Sequence, residues 1–71
     1  MVVASKKFSE LAKEVRRQLG LSQDELAHAL GVSFATVNRW ENGKTSPSKL
    51  AQRQFDQFCA SKREQGELND G

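Results

Sequence analysis

The stretch "ELAHALGVSFATVNRW", residues 25–40, decides how this chain is read. Its apolar residues fall at 26, 30, 32, 37 and 40, with glycine at 31 and a small alanine at 27. The spacing predicts two short helices meeting at a steep angle. Ala27 lies where the helices nearly touch and tolerates nothing larger there, while Gly31 takes the positive φ of the bend. Val37 and Trp40 then face the core. Phe34, Ala35, Asn38 and Arg39 are left on the other sides of the second helix, large or polar residues with no place inside.

Working outward, each helix has its own start and stop. "SQDE" begins the first of the pair, with Ser22 as N-cap and Glu25 closing a capping box. Ser33 caps the second, and Gly43 ends it. Upstream, Phe8, Leu11, Val15 and Leu19 form one stripe of a helix that Ser5 caps and Gly20 terminates. Downstream, Ser46 and Pro47 start another helix, because proline loses nothing at the first helical position. It runs over residues 47–64 with Leu50, Ala51, Phe55, Phe58 and Cys59 on a wide apolar face. The expected fold is all-α: a compact bundle of four helices, possibly five, containing a helix-turn-helix. Residues 1–65 form the domain, and the aperiodic end, 66–71, frays.

Composition narrows the function. A chain of 71 residues makes one small domain, marginal enough in core size for a dimer or another partner to matter. The single cysteine excludes an internal disulfide, and nothing offers a zinc site. No apolar run approaches the roughly 20 residues that cross a bilayer, and no secretory pattern opens the chain, so a cytoplasmic protein is expected. Charge is unevenly spread. Residues 1–21 and 34–54 are each net +3, whereas 22–33 and 55–71 are each net −2. Two basic blocks around an acidic patch suit a polyanion approached by one face. Catalysis has no constellation to stand on, and no cofactor or metal is expected. His28 stands alone as a surface residue, and Cys59 reads as a small buried hydrophobe.

"LSQDELAHALGVS" followed by "TVNRWENGK" resembles the Cro/lambda-repressor-like (XRE-type) helix-turn-helix family, over roughly residues 11–47. The resemblance implies a DNA-binding protein whose recognition helix, 33–42, lies in the major groove, with dimers on paired half-sites. By position it places base contacts on Phe34, Ala35 and Arg39. The side-chain chemistry agrees: Arg39 has the fork for guanine, Asn38 the amide for adenine, and Phe34 and Ala35 the apolar surface for thymine methyls. Phe34 has an alternative role as a staple on the preceding helix. Phosphate contacts are implied for Gln23, Asn42 and Lys44, with a hydroxyl from Thr36 and charge from Arg17 as additions. The resemblance also implies a structural ion pair between Arg16 and Glu41.

Many family members continue into a fifth helix that helps to build the dimer, and this chain reads instead as one longer fourth helix. Phe55, Phe58 and Cys59 are therefore candidates for a homodimer interface, Phe55 above all, unless they only close the monomer core. The expected function is a sequence-specific, double-stranded-DNA-binding transcriptional regulator, a repressor working as a dimer on a palindromic operator. Two other readings fit the sequence. One is an antitoxin-like protein whose last helix clasps a toxin or other protein. The other is the DNA-targeting module of a DNA-modifying enzyme such as a methyltransferase.

Overall fold

The computed structural model describes residues 4–69, with side chains from Lys7 onward. It contains four helices: α1 (Ala4–Leu19), α2 (Gln23–Leu30), α3 (Phe34–Glu41) and α4 (Lys49–Glu64). No strand occurs among the described residues.

Local side-chain chemistry sets the ends of α2 and α3. Ser22 Oγ accepts from the Glu25 backbone N–H at 3.0 Å, and the Glu25 carboxylate accepts from the Ser22 N–H at 2.8 Å. That capping box satisfies two of the amides a helix start leaves without partners. At the other end Gly31 adopts φ 77°, so the chain reverses within one residue and the Val32 N–H donates to Ala27 O at 3.0 Å. Ser33 caps α3 by accepting from the Thr36 N–H at 3.1 Å.

The core is assembled from all four helices. Leu26, Ala27 and Leu30 face Val37 and Trp40 across the α2–α3 crossing, and Phe8 and Val15 of α1 close over them. The Phe8 ring stands edge-on to Trp40, with centroids 5.3 Å apart, and edge-on to Phe55 of α4 at 5.0 Å. One aromatic chain thus ties α3 to α1 to α4.

Several expectations need correction. On α1 the buried stripe is Phe8, Ala12 and Val15: Ala12 is 0% exposed while Leu11 is 47% exposed. A methyl group fits where α1 packs against its neighbours, and the larger leucine is turned to solvent. Ser5 lies within α1 rather than before it, because the helix already includes Ala4. The cap of α4 is Ser48, whose Oγ accepts from the Ala51 N–H at 3.1 Å, so Ser46 and Pro47 precede the helix. The α4 face is also narrower than its apolar residues suggest, since Leu50 is 66% exposed. Phe55, at 1%, and Cys59, at 3%, are buried within the single chain. Neither is available to a second copy, and Phe58 alone of the three is part-exposed. Burial pushes the Cys59 thiol up, away from reactive thiolate.

The segment after α4 is anchored. Gly66, at φ 78°, turns the backbone after α4 and lets the Glu67 N–H donate to Lys62 O at 2.9 Å. Leu68 then enters the core at 7% exposure, and the Asn69 N–H donates to Gln18 Oε1 of α1 at 3.0 Å. Of the segment expected to fray, 66–71, residues 66–69 are docked, and 70–71 lie outside the described residues. Leu68→Ala should cost about 2 kcal/mol, the low end for a buried leucine because the terminus can readjust. A urea midpoint unchanged by the substitution would show that Leu68 contributes nothing.

Candidate nucleic-acid interface

The two sides of α3 have opposite characters. Val37 and Trp40 are sealed into the core. A period of 3.6 residues therefore sends positions 34, 35 and 39 to other faces, and all three are exposed. Phe34 is 50% exposed and borders a shallow groove whose other walls include Ala27 and His28 of α2 and Val32. Both roles considered for Phe34 are open to a side chain so placed. Arg39 and Lys44 are exposed cations near the end of α3. His28 is exposed on α2.

Behind this surface lies a continuous polar chain. Arg16 of α1 donates from Nε to Glu41 Oε2 at 2.8 Å and from Nη2 to Glu41 Oε1 at 2.9 Å. Its Nη1 donates to Leu21 O at 3.1 Å, so one guanidinium joins α1, the turn before α2 and the end of α3. Glu41 is 3% exposed. Burial acts to raise its pKa, but hydrogen bonds from Arg16 and Gln23, with the positive charge of Arg16 and Lys13, hold the carboxyl below the ordinary carboxylate range. The same bond raises Arg16. The charge of this buried carboxylate is thus countered from within the fold.

Gln23, the first residue of α2, donates from Nε2 to Glu41 Oε1 at 2.9 Å. Asn38 Nδ2 donates to Gln23 Oε1 at 3.0 Å, and Asn42 Nδ2 donates to Asn38 Oδ1 at 3.0 Å. The structure therefore brings Arg16, Glu41, Gln23, Asn38 and Asn42 into one network. Two more of the named residues are held by local bonds. Thr36 is half-buried, its hydroxyl 2.9 Å from Ser33 Oγ. Arg17 joins none of this: its side chain is 71% exposed and bonds Glu14 on its own helix, with Nε donating at 3.0 Å. Hydrogen bonds from Arg17 and Gln18 draw the Glu14 carboxyl down to about 2.

The bonds from Gln23 to Glu41 and from Asn38 to Gln23 had no counterpart in the sequence reading. Only the i, i+4 spacing of Asn38 and Asn42 was available as a signal. Among the described residues no group of His, Cys, Asp or Glu is arranged to hold a metal ion. Among the same residues no helix is long and apolar enough to cross a membrane.

A helix-turn-helix family model matches residues 13–50 of the chain. Two curated proteins are similar to part of the chain. The chain is 48% identical over 46 residues to the type II methyltransferase M1.ScrFI of Lactococcus lactis subsp. cremoris, covering 61% of this chain and 12% of that protein. It is 47% identical over 40 residues to an "Uncharacterized HTH-type transcriptional regulator" of Methanothermobacter thermautotrophicus, covering 56% of this chain and 58% of that one. The matched segment thus spans a small part of the methyltransferase and less than two thirds of the regulator. No solved structure matches the chain.

Proposed function

The chain belongs to the Cro/lambda-repressor-like (XRE-type) helix-turn-helix family, and from that premise we propose that it is a sequence-specific regulator of transcription that binds double-stranded DNA. In this proposal helix 33–42 enters the major groove, which is about 12 Å wide and admits one helix. The observation that carries the reading is the division of α3: Val37 and Trp40 lock one side, while Phe34, Ala35 and Arg39 project from the rest. Arg39 reads guanine, Phe34 and Ala35 meet thymine methyls, and Asn38 offers its carboxamide to adenine. Gln23, Asn42 and Lys44 flank the helix as phosphate contacts, Gln23 at a helix start where amides and dipole favour an anion. Thr36 and Arg17 are secondary phosphate contacts, since Ser33 and Glu14 already engage them.

The protein acts in the cytoplasm as a homodimer on a palindromic operator, with recognition helices about 34 Å apart. It represses by occupancy, without cofactor or catalysis. The surface that joins the copies excludes Phe55 and Cys59, which the monomer buries. Selection of sites from random duplex DNA tests the proposal: enriched palindromes with half-sites one helical turn apart are expected, and failure to enrich any sequence would overturn it.

Two substitutions separate base reading from phosphate binding. Arg39→Ala should weaken binding to the selected site by about 1–3 kcal/mol and relax preference at one base position. Equal losses on selected and random DNA would remove Arg39 from readout. Lys44→Ala should weaken all sequences alike and make the slope of log K against log salt shallower by about one. An unchanged slope would place Lys44 off the phosphates.

The likeness to M1.ScrFI favours a second reading, in which this helix-turn-helix serves as the targeting module of a DNA-modifying enzyme. Because the match covers 12% of that protein, the chemistry would reside outside the matched segment. Methyl transfer to duplex DNA by the protein in its native context would favour this reading.

A further inference from the structure

We infer that Glu41, which is sealed from solvent, determines which way round the Asn38 carboxamide is held, and acts on DNA sequence preference through Gln23. The inference rests on the DNA-reading role proposed above and goes beyond it, by giving a residue that cannot touch DNA a part in specificity.

The argument is one of donors and acceptors. An ionised carboxylate has no hydrogen to give. The group facing Glu41 Oε1 must therefore be the NH2 of Gln23, and the bond measures 2.9 Å. That choice directs Gln23 Oε1 toward Asn38, so Asn38 must answer with its own NH2, at 3.0 Å. Asn38 Oδ1 is then directed toward Asn42, which donates at 3.0 Å. Each amide is oriented by the one before it, and the orientation begins at the only charged member of the row. Arg16 fixes that member by holding both of its oxygens.

A carboxamide that could turn over would show a base pair either donor–acceptor order, and would discriminate poorly. Held in one orientation, it retains one N–H and one lone pair in a fixed order, the pattern that distinguishes one base edge from another. Glu41→Gln removes the anchor. An amide at that position has one oxygen and no charge where the carboxylate accepted from Arg16 and Gln23 with two, so Gln23 is held less firmly and Asn38 is free to take either order. Glu41 is thus a positioning residue, two bonds removed from the groove.

The test measures affinities of the wild-type chain and its variants for a duplex selected from random DNA and for every single-base-pair change in it. Asn38→Ala should flatten preference at one step. Glu41→Gln and Gln23→Met should flatten that same step, from about tenfold to below about twofold, and spare the step lost in Arg39→Ala. Combining Asn38→Ala with Glu41→Gln should add nothing at that step. Gln23→Met leaves the ion pair of Arg16 and Glu41 intact, so it carries the test if Glu41→Gln fails to fold. Leu68→Ala, destabilising but remote, should keep every step. In the protein without DNA, the side-chain amide resonances of Asn38 should move in Glu41→Gln and Gln23→Met but not in Leu68→Ala. Retention of the Asn38 step in both relay variants would overturn the inference, as would an Asn38→Ala variant that flattens none. If the wild-type chain selects no sequence, the DNA-reading role itself fails. The Asn38 resonances then decide separately whether Glu41 orients that amide.

Discussion

Trp40→Ala is expected to leave much of the chain unfolded at room temperature. The indole is 2% exposed and packs edge-on against Phe8, which packs in turn against Phe55. Truncating a buried tryptophan costs about 3–5 kcal/mol, from lost apolar burial and the cavity left behind. A domain of this size rarely draws more than about 3–5 kcal/mol from its core, so one substitution removes nearly all of it. Trp40→Phe retains a ring against Phe8 and should stay folded with a lowered melting temperature. Circular dichroism checks both variants. A cooperative melt in Trp40→Ala within a few degrees of the wild type would mean that the aromatic chain does not hold α3 to the rest. Because Trp40 is the sole tryptophan, its emission in the wild-type chain reports directly on the seating of α3.

Arg16→Ala is the second large effect, expected at about 3 kcal/mol, because it leaves the buried Glu41 carboxylate without its charge partner. The estimate sits at the low end for a broken buried pair, since Arg16 keeps 28% of its side chain exposed and Gln23 still donates to Glu41. The double variant Arg16→Ala with Glu41→Ala should be more stable than Arg16→Ala alone, because it removes the stranded charge as well. A double variant less stable than the single one would contradict this.

The same pair gives a pH signature. In the wild type the folded-state pKa of Glu41 lies below the ordinary 4.5. Its stabilising contribution is therefore full above about pH 4.5 and is lost as the pH falls through the folded value. Burial is already the largest influence on Glu41, and without Arg16 less opposes it, so the folded pKa moves up from its wild-type position. The carboxyl of the variant therefore takes up its proton at higher pH than that of the wild type, which relieves the stranded charge. Between about pH 6 and pH 4 the deficit of Arg16→Ala relative to wild type should narrow. Urea denaturation at several pH values measures it, and a deficit that widens on acidification would show that Glu41 is not the group responsible.

The centre of the fold was legible because its instructions are local. Ser22, Glu25, Gly31 and Ser33 act over three or four residues of chain, and their roles follow from that spacing alone. Residues whose partners lie far along the chain were read less well. Ala12 was passed over for Leu11 because hydrophobic pattern weighs side-chain size, whereas a close helix contact favours the small residue. Leu68 follows a helix-ending glycine without periodic companions, and its burial depends on a core assembled from residues as far back as Phe8. Proline after Ser46 points to a helix start there, whereas the serine that caps α4 is Ser48, two residues on. Phe55 and Phe58 illustrate a related difficulty, because an apolar face is visible in sequence while its covering is not. Phe8 of α1 covers Phe55.

The outward face of α3 was legible by subtraction, once Val37 and Trp40 were assigned inward. The polar relay behind it was not, because Gln23 meets Asn38 and Glu41 only when α2 and α3 are correctly docked. Asn38 illustrates the consequence. Sequence presents it as an independent carboxamide, and structure shows it bonded on both sides.

A single titration tests the central claim most directly. Isotope-labelled protein would be mixed at low ionic strength with a duplex enriched from random DNA, and backbone and side-chain resonances followed. The largest changes should fall on Phe34, Ala35 and Arg39, with Gln23, Asn42 and Lys44 beside them, and Val37 and Trp40 should remain in their packed environment. Changes confined to α4, or a spectrum indifferent to the duplex, would contradict the account.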